Sequence, residues 1–313
     1  MATRKLKSAD TQLKFGFFDW ALSVGLAVTW GSSFLLINLS IRHFDSTVVP
    51  FARTAFGALA LAFLPGARQK IARSDWPLIW FLGLVWMAMP FLLYPLAEQT
   101  VSTSITGMMN GGLPVVAAVV TAIWTRSLPS GRRTFAVLVG CAGIVLVALP
   151  SISNGSSADV RGIVLLLIAL LCYAVAVNAA RPLQLVHHPV ALMLRVELAA
   201  CVISAPFGLY GITNSEFSWV SLGAVAALGA FGTGFAFALF ATLAVRTGTV
   251  RAMIPTYFTP IVGTFLGVVV NNEALILLSL LGMVIVTIGA WLTSRPDNGA
   301  TAKTNLNTPN AIP

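Results

Sequence analysis

Residues 17 to 41 read FFDWALSVGLAVTWGSSFLLINLSI, and Asp19 is the one ionisable side chain in the run. A bilayer core about 30 Å thick is crossed by roughly 20 helical residues, so this stretch is long enough to span it. It is too long for the core of a secretory signal peptide, and no small-x-small cleavage site follows a short apolar region. The apolar residues run continuously instead of alternating, which favours a transmembrane helix over a barrel strand.

Stretches of the same kind recur outward from this one. Polar residues, Gly and Pro divide the chain into ten of them, at about 17–41, 46–67, 76–97, 101–124, 134–150, 162–180, 189–210, 219–245, 249–270 and 274–293. Trp20, Trp76, Trp124, Trp219 and Trp291 fall at their ends, as in an interfacial belt. Across all 313 residues 57% are hydrophobic and 9% charged, whereas a soluble domain carries about a quarter charged side chains. The expected class is an all-α membrane protein with ten transmembrane helices.

The 19 Lys and Arg outnumber the 10 Asp and Glu, giving a net charge of +9. In a polar chain that surplus would point to nucleic acid; here it points to topology. With the N-terminus in the cytoplasm, one side of the membrane receives Arg4, Lys5, Lys7, Lys14, Arg68, Lys70, Arg73, Arg126, Arg132, Arg133, Arg181, Arg246, Arg251, Arg295 and Lys303. The other side receives Arg42 and Arg161, while Arg53 and Arg195 stay within helices. Both termini are therefore expected in the cytoplasm, with the spans in a bacterial plasma membrane. Segments 1–16 and 294–313 read as disordered tails.

The chain repeats itself. One fixed offset aligns Pro114 with Pro260, Gly143 with Gly289 and Ala136 with Gly282; a slightly shorter one aligns Arg53 with Arg195, each followed by a helical proline, Pro65 and Pro206. The expected units are a five-helix copy at 17–150, a linker at 151–161 and a second copy at 162–293. An odd number of spans per copy requires opposite insertion, and the basic connections of the first copy are indeed the non-basic ones of the second. Inverted repeats of this kind are a recurring basis of secondary transporters.

Trp30-Gly31-Ser32-Ser33-Phe34 in the first span and Pro50-Phe51-Ala52-Arg53 in the second resemble the opening of an EamA repeat of the drug/metabolite transporter superfamily. The second copy closes similarly, with Pro260, then Asn272-Glu273-Ala274-Leu275, then Gly282 and Gly289. The resemblance covers about residues 20–293. It implies a ten-helix inverted-repeat transporter with a central cavity, usually an exporter of metabolites, amino acids or toxic compounds. The first copy departs from the pattern by carrying Ser127 where the second has Glu273.

Ionisable side chains at membrane depth are costly and are functional candidates by default. Arg53 and Arg195 occupy equivalent helices, where each serves either to bind carbonyls or headgroups, or as a gate or substrate contact. Glu197 lies deeper and cannot face Arg195, because residues two apart point to different sides of a helix. It is a candidate proton-coupling residue, set against a buried hydrogen-bonded carboxyl. Glu98 and Glu273 read as turn or cap residues, and Asp19 as a partner of a helix N-terminus.

The candidate substrate contacts are Trp30, Ser33, Trp86, Tyr94, Asn110, Tyr173, Asn178, Phe235, Thr256 and Tyr257. The fourth span (TSITGMMNGGLP, 103–114) and the ninth (MIPTYFTP, 253–260) concentrate small residues, Gly and Pro. Such stretches either line a cavity or let helices pack closely. Neutral polar groups beside aromatic faces suit an amphipathic solute such as an amino acid or a small drug-like molecule. They offer no cluster of basic residues for a sugar phosphate.

No cofactor is expected, and the partners are a small solute, the lipid bilayer and, as a coupling ion, protons. His43, His187 and His188 sit near span ends, and no HExxH, GxSxG or Walker A run occurs, so neither an intramembrane enzyme nor a direct ATP-driven pump is expected. Cys141, Cys172 and Cys201 lie in apolar runs without CxxC spacing and read as small buried hydrophobes. An uncoupled facilitator or channel, and a receptor or structural membrane protein, are the alternatives to a coupled transporter.

Overall fold

The computed structural model describes residues 16–127, 129–153, 157–247 and 252–294. Apart from Gly16 and Ser294, the two tails lie outside them. The described residues are helical, with no strand among them. The helical runs are α1 (Phe17–Ile41), α2 (Val48–Ala62), α3 (Arg73–Ala97), α4 (Thr103–Trp124), α5 (Gly131–Ser153), α6 (Ser157–Val186), α7 (Pro189–Thr213), α8 (Trp219–Gly229, continuing through Thr247), α9 (Ile254–Asn271) and α10 (Leu277–Thr293). Eight of them are long and apolar enough to cross a membrane; α2 and α10 are shorter apolar helices.

Local chemistry sets the boundaries where they differ from the expected ones. The chain leaves α2 after Ala62, before Pro65 and Gly66, and Gly66 takes φ +86° against the His188 ring. α4 is broken at Gly111–Gly112, because Pro114 supplies no N–H to the carbonyl of Asn110 and its ring crowds that carbonyl. The turn closes instead through Gly111 N–H to Met108 O at 3.1 Å and Gly112 N–H to Met109 O at 2.9 Å. Asn272 in the left-handed region ends α9, so α10 starts at Leu277 and not at 274. α5 and α6 extend to Ser153 and back to Ser157, which makes much of the 151–161 segment helical.

Two helices contain π-helical turns, at Gly83–Ala88 in α3 and Ala230–Phe235 in α8. These are the third helices of the two halves. Such turns open the backbone ladder and are frequent at functional sites.

The most extensive helix contact is α5 with α10, followed by those of α2 with α8 and with α7. α9 packs on α1 and α4, α6 on α4 and α3, α8 on α2 and α1, and α7 on α3. Exchanging each helix of the first half for its counterpart leaves this set of contacts unchanged. Small residues make the closest approaches. A side chain at Gly282 would meet the carbonyl of Gly143 at 2.9 Å, one at Gly289 the carbonyl of Ala136 at 3.1 Å, and Ser279 Oγ donates to Val147 O at 3.1 Å. Outward-facing large apolar residues such as Leu138, Val202, Phe207 and Phe265 are exposed, as lipid contact requires.

Gly143 lies against the backbone of Val286, so Gly143→Leu forces α5 and α10 apart. Overpacking of this kind costs about 1–3 kcal/mol. Thermal unfolding in detergent micelles, followed by tryptophan fluorescence, is expected to show a clear drop for Gly143→Leu. Gly223→Leu, with open space beside it, should leave the midpoint near that of the parent.

Candidate functional site

The ends of the bundle are tied by polar contacts. At one end Asp19 accepts from Gly16 N–H at 3.0 Å and pairs with Arg246 Nε at 2.6 Å, joining α1 to α8. Nearby in role, His187 meets Asp75 at 2.7 Å, and an Arg195 Nη group donates to the carbonyls of Ala67 and Ala191. Arg195 thus pins the connection between α2 and α3. Elsewhere, Glu273 accepts the N–H groups of Thr103 and Ser104, both at 2.8 Å, and so caps the start of α4 from the end of α9. Asn271 reaches Thr103 Oγ at 3.1 Å and Asn38 at 3.3 Å, and Arg42 donates to Asn271 at 2.8 Å. Glu98 is buried beside this network, and its carboxylate oxygens have no hydrogen-bond partner among the described residues.

Between these ends lies a second, buried constellation. Arg53, one turn into α2, is 7% exposed and does not snorkel to an interface. Its Nε donates to Thr233 Oγ at 2.9 Å, and its guanidinium lies over the Phe91 ring, 3.6 Å from the centroid. Thr233 sits in the π turn of α8, where its hydroxyl donates to Leu228 O, five residues back, at 3.2 Å. The π turn therefore aims Thr233 at α2.

Glu197 of α7 is fully buried, and neither carboxylate oxygen has a hydrogen-bond partner among the described residues. A side chain at Gly57, one turn on from Arg53, would lie 3.3 Å from Glu197 Oε2 and 3.3 Å from the carbonyl of Gly229. Glycine at position 57 leaves the carboxylate its room in the seam of α2, α7 and α8.

Aromatic rings adjoin this charged centre. Tyr94 of α3 donates to Asn110 Oδ1 at 2.7 Å, at the break in α4, and its ring lies 6.1 Å from Tyr173 of α6 and 5.8 Å from Phe34 of α1. Arg53 is within electrostatic reach of Tyr94, Tyr173 and Glu197. Trp86, in the π turn of α3, meets Phe237 edge-on at 5.9 Å. Ser33 lies beside Gly232, next to Thr233, and donates to Thr29 O at 3.2 Å.

Other sequence candidates are placed elsewhere. Trp30 packs on Phe240 at 5.8 Å, and Asn178 accepts from Thr121 at 3.1 Å. The Thr256 hydroxyl is used on Met253 O at 2.7 Å, and Tyr257 on Ser294 at 2.5 Å. Phe235 is exposed and stacks on Phe231 at 5.6 Å. The expected opening between α4 and α9 is close-packed at its middle: a side chain at Gly107 would lie 3.3 Å from Gly263 Cα and 3.3 Å from Phe34. Small residues there bring backbones together, which is the packing alternative for this pair.

Sequence reasoning passed over Phe91 and Thr233. Thr233 carries a signal, a hydroxyl in the run Phe231-Gly232-Thr233-Gly234-Phe235. Phe91 carries none, since a phenylalanine in an apolar helix is unremarked until a cation is placed on it.

The family model of EamA-like transporters matches the chain twice, over residues 20–149 and 160–295. The chain belongs to the EamA-like transporter family. A relative from Archaeoglobus fulgidus described as an uncharacterized transporter is 21% identical over 273 residues, covering 87% of this chain and 97% of its own. A crystal structure of a protein 19% identical in sequence superposes with a TM-score of 0.58, over 93% of this chain and 99% of the other, and shares the fold. The EamA chain is a multi-pass membrane transporter.

The Tyr94–Asn110 bond joins α3 to the break in α4, and a net hydrogen bond is worth about 1 kcal/mol. Tyr94→Phe and Asn110→Ala are each expected to lower stability by about that amount. The double variant should lose less than the sum, as measured by a double-mutant cycle of unfolding midpoints.

Proposed function

We propose that this EamA protein is a secondary transporter exporting a small organic solute, an amino acid or an amphipathic drug-like molecule, across the bacterial plasma membrane. The observation that carries this reading is the pair of EamA repeats enclosing a buried cation beside aromatic rings. In this reading α1 to α10 are ten spans, two five-helix copies inserted with opposite orientation, both termini cytoplasmic. The pairwise exchange of helix contacts and the reversal of basic connections between halves support it.

Alternating access would rock one half against the other about the seams of α2 with α7 and α5 with α10. The ties at the bundle ends then act as latches that open in turn: Asp19–Arg246 toward the cytoplasm, and Glu273 with Asn271 and Arg42 toward the outside. Substrate would contact Tyr94, Asn110, Tyr173, Trp86 and Ser33, with Arg53 and Glu197 at the centre. Protons are the coupling ion in this proposal, with Glu197 as the carrier group. It is sealed among α2, α7 and α8, and the charged and titratable groups nearest it are Arg53, Tyr173 and Cys201.

Flux in proteoliposomes tests the reading. Solutes that change their inside-to-outside ratio on overexpression in cells are loaded and followed with and without an imposed pH gradient. Solute movement above empty liposomes, accelerated severalfold by the gradient in the parent and not in Glu197→Gln, is the expected outcome. Equal parent rates with and without the gradient would assign uncoupled facilitation, and no flux of any solute would leave a receptor or structural role. Reporter fusions at both termini are expected to report the cytoplasm.

A further inference from the structure

The two arginines of the repeat are used differently. An Arg195 Nη group is taken by the carbonyls of Ala67 and Ala191, as for a residue that holds a loop. Arg53 is fixed by Nε on Thr233 and by its face on Phe91, while both of its Nη groups have no hydrogen-bond partner among the described residues. Those Nη groups are not sealed off either, unlike the carboxylate oxygens of Glu197, which are fully buried and unpartnered. The ion pairs seen among the described residues include His43–Glu216, His187–Asp75 and Arg246–Asp19, and no carboxylate of the described residues lies within contact distance of Arg53.

A cation at membrane depth that lacks a contacting anion carries a standing cost. Here its orientation is held while its outer fork stays open. We propose that the Nη pair of Arg53 is the receptor for a carboxylate group, so that the solute of this transporter is an amphipathic organic monocarboxylate. The inference rests on the transport reading and narrows it: an amino acid meets the requirement, whereas a purely cationic drug does not.

Three features of the surroundings support the assignment. A planar guanidinium presents two parallel N–H groups to the two oxygens of a carboxylate, and with Nε already used on Thr233 the Nη pair is the fork that remains. Tyr173, the partly exposed ring of the group, supplies an apolar face for the body of the solute. It packs against both of the larger apolar clusters of the core and still keeps partial exposure. Finally, one guanidinium with Glu197 in electrostatic reach disfavours a second negative charge, which selects a monocarboxylate over a phosphate dianion.

The experiment uses two bodies with three head groups each: hexanoate and 3-phenylpropanoate, their amides, and their amines. Binding to the full-length protein in detergent is measured by calorimetry, and flux of the same probes in proteoliposomes. The parent is expected to bind the carboxylates at least tenfold more tightly than the amides or amines. Arg53→Met, which keeps chain length without charge, is expected to lose that preference and to bind carboxylate and amide about equally. Arg53→Lys, a charge without a fork, should fall between.

Equal binding of carboxylate and amide by the parent overturns the proposal without any variant, so misfolding of Arg53→Met cannot shelter it. An equal loss of both head groups in a folded Arg53→Met also overturns it, since that is what a purely structural arginine would give. If the parent carries amides or amines and excludes carboxylates, transport stands and the carboxylate assignment falls. If it binds and carries none of the probes, the carboxylate assignment falls, and the transport reading is decided separately by the flux of solutes identified on overexpression.

Discussion

A buried guanidinium, braced between a threonine hydroxyl and a phenylalanine ring, is the interaction on which the centre of this molecule depends. Arg53 brings α2, α3 and α8 to one point, and each contributes something the others lack: the charge, the π face of Phe91 and the oxygen of Thr233. A buried cation is costly unless polar or π partners face it, so these three helices are drawn together at this point. Glu197 enters the same seam from α7, where Gly57 leaves it room, and Gly229 lets α8 approach the α2 backbone at Arg53.

The rest of the packing surrounds that requirement with contacts that need no polar group. Along α5 and α10, glycines bring backbones close, and dispersion between packed atoms replaces the hydrophobic effect that lipid cannot supply between helices. The π turns in α3 and α8 stand in the corresponding helices of the two halves. One presents Trp86 to Phe237 and the other presents Thr233 to Arg53, so one backbone device serves an aromatic contact in one half and an ionic one in the other. Duplication kept the geometry of the helix and let the chemistry diverge, as it did for Arg53 and Arg195.

Much of the site was legible because polar residues are rare in this chain. Arg53, Glu197, Tyr94, Asn110 and Tyr173 are each conspicuous in apolar surroundings, and the structure brings them together. Thr256 and Tyr257 are equally conspicuous, yet their hydroxyls are used on Met253 and Ser294, because the repeat offset that pairs Asn110 with Thr256 says nothing about which neighbour a hydroxyl finds. Phe235 shares a turn with Thr233 but faces outward, because residues two apart point to different sides of a helix.

By itself the sequence determined that the chain is helical and belongs in a membrane, and it carried the duplication and the residues too costly to bury without reason. Those follow from composition, segment length and spacing, which are local properties that lipid thickness and the price of burying charge make decisive. Only the tertiary structure decided that Arg53 is held open while Arg195 is used on carbonyls, that Glu273 caps a helix it is not part of, and that α4 and α9 close on one another at Gly107 and Gly263. Each depends on which helix stands beside which. Between apolar helices in lipid that choice is made by complementary surfaces of small and aromatic residues, and a linear pattern does not encode it.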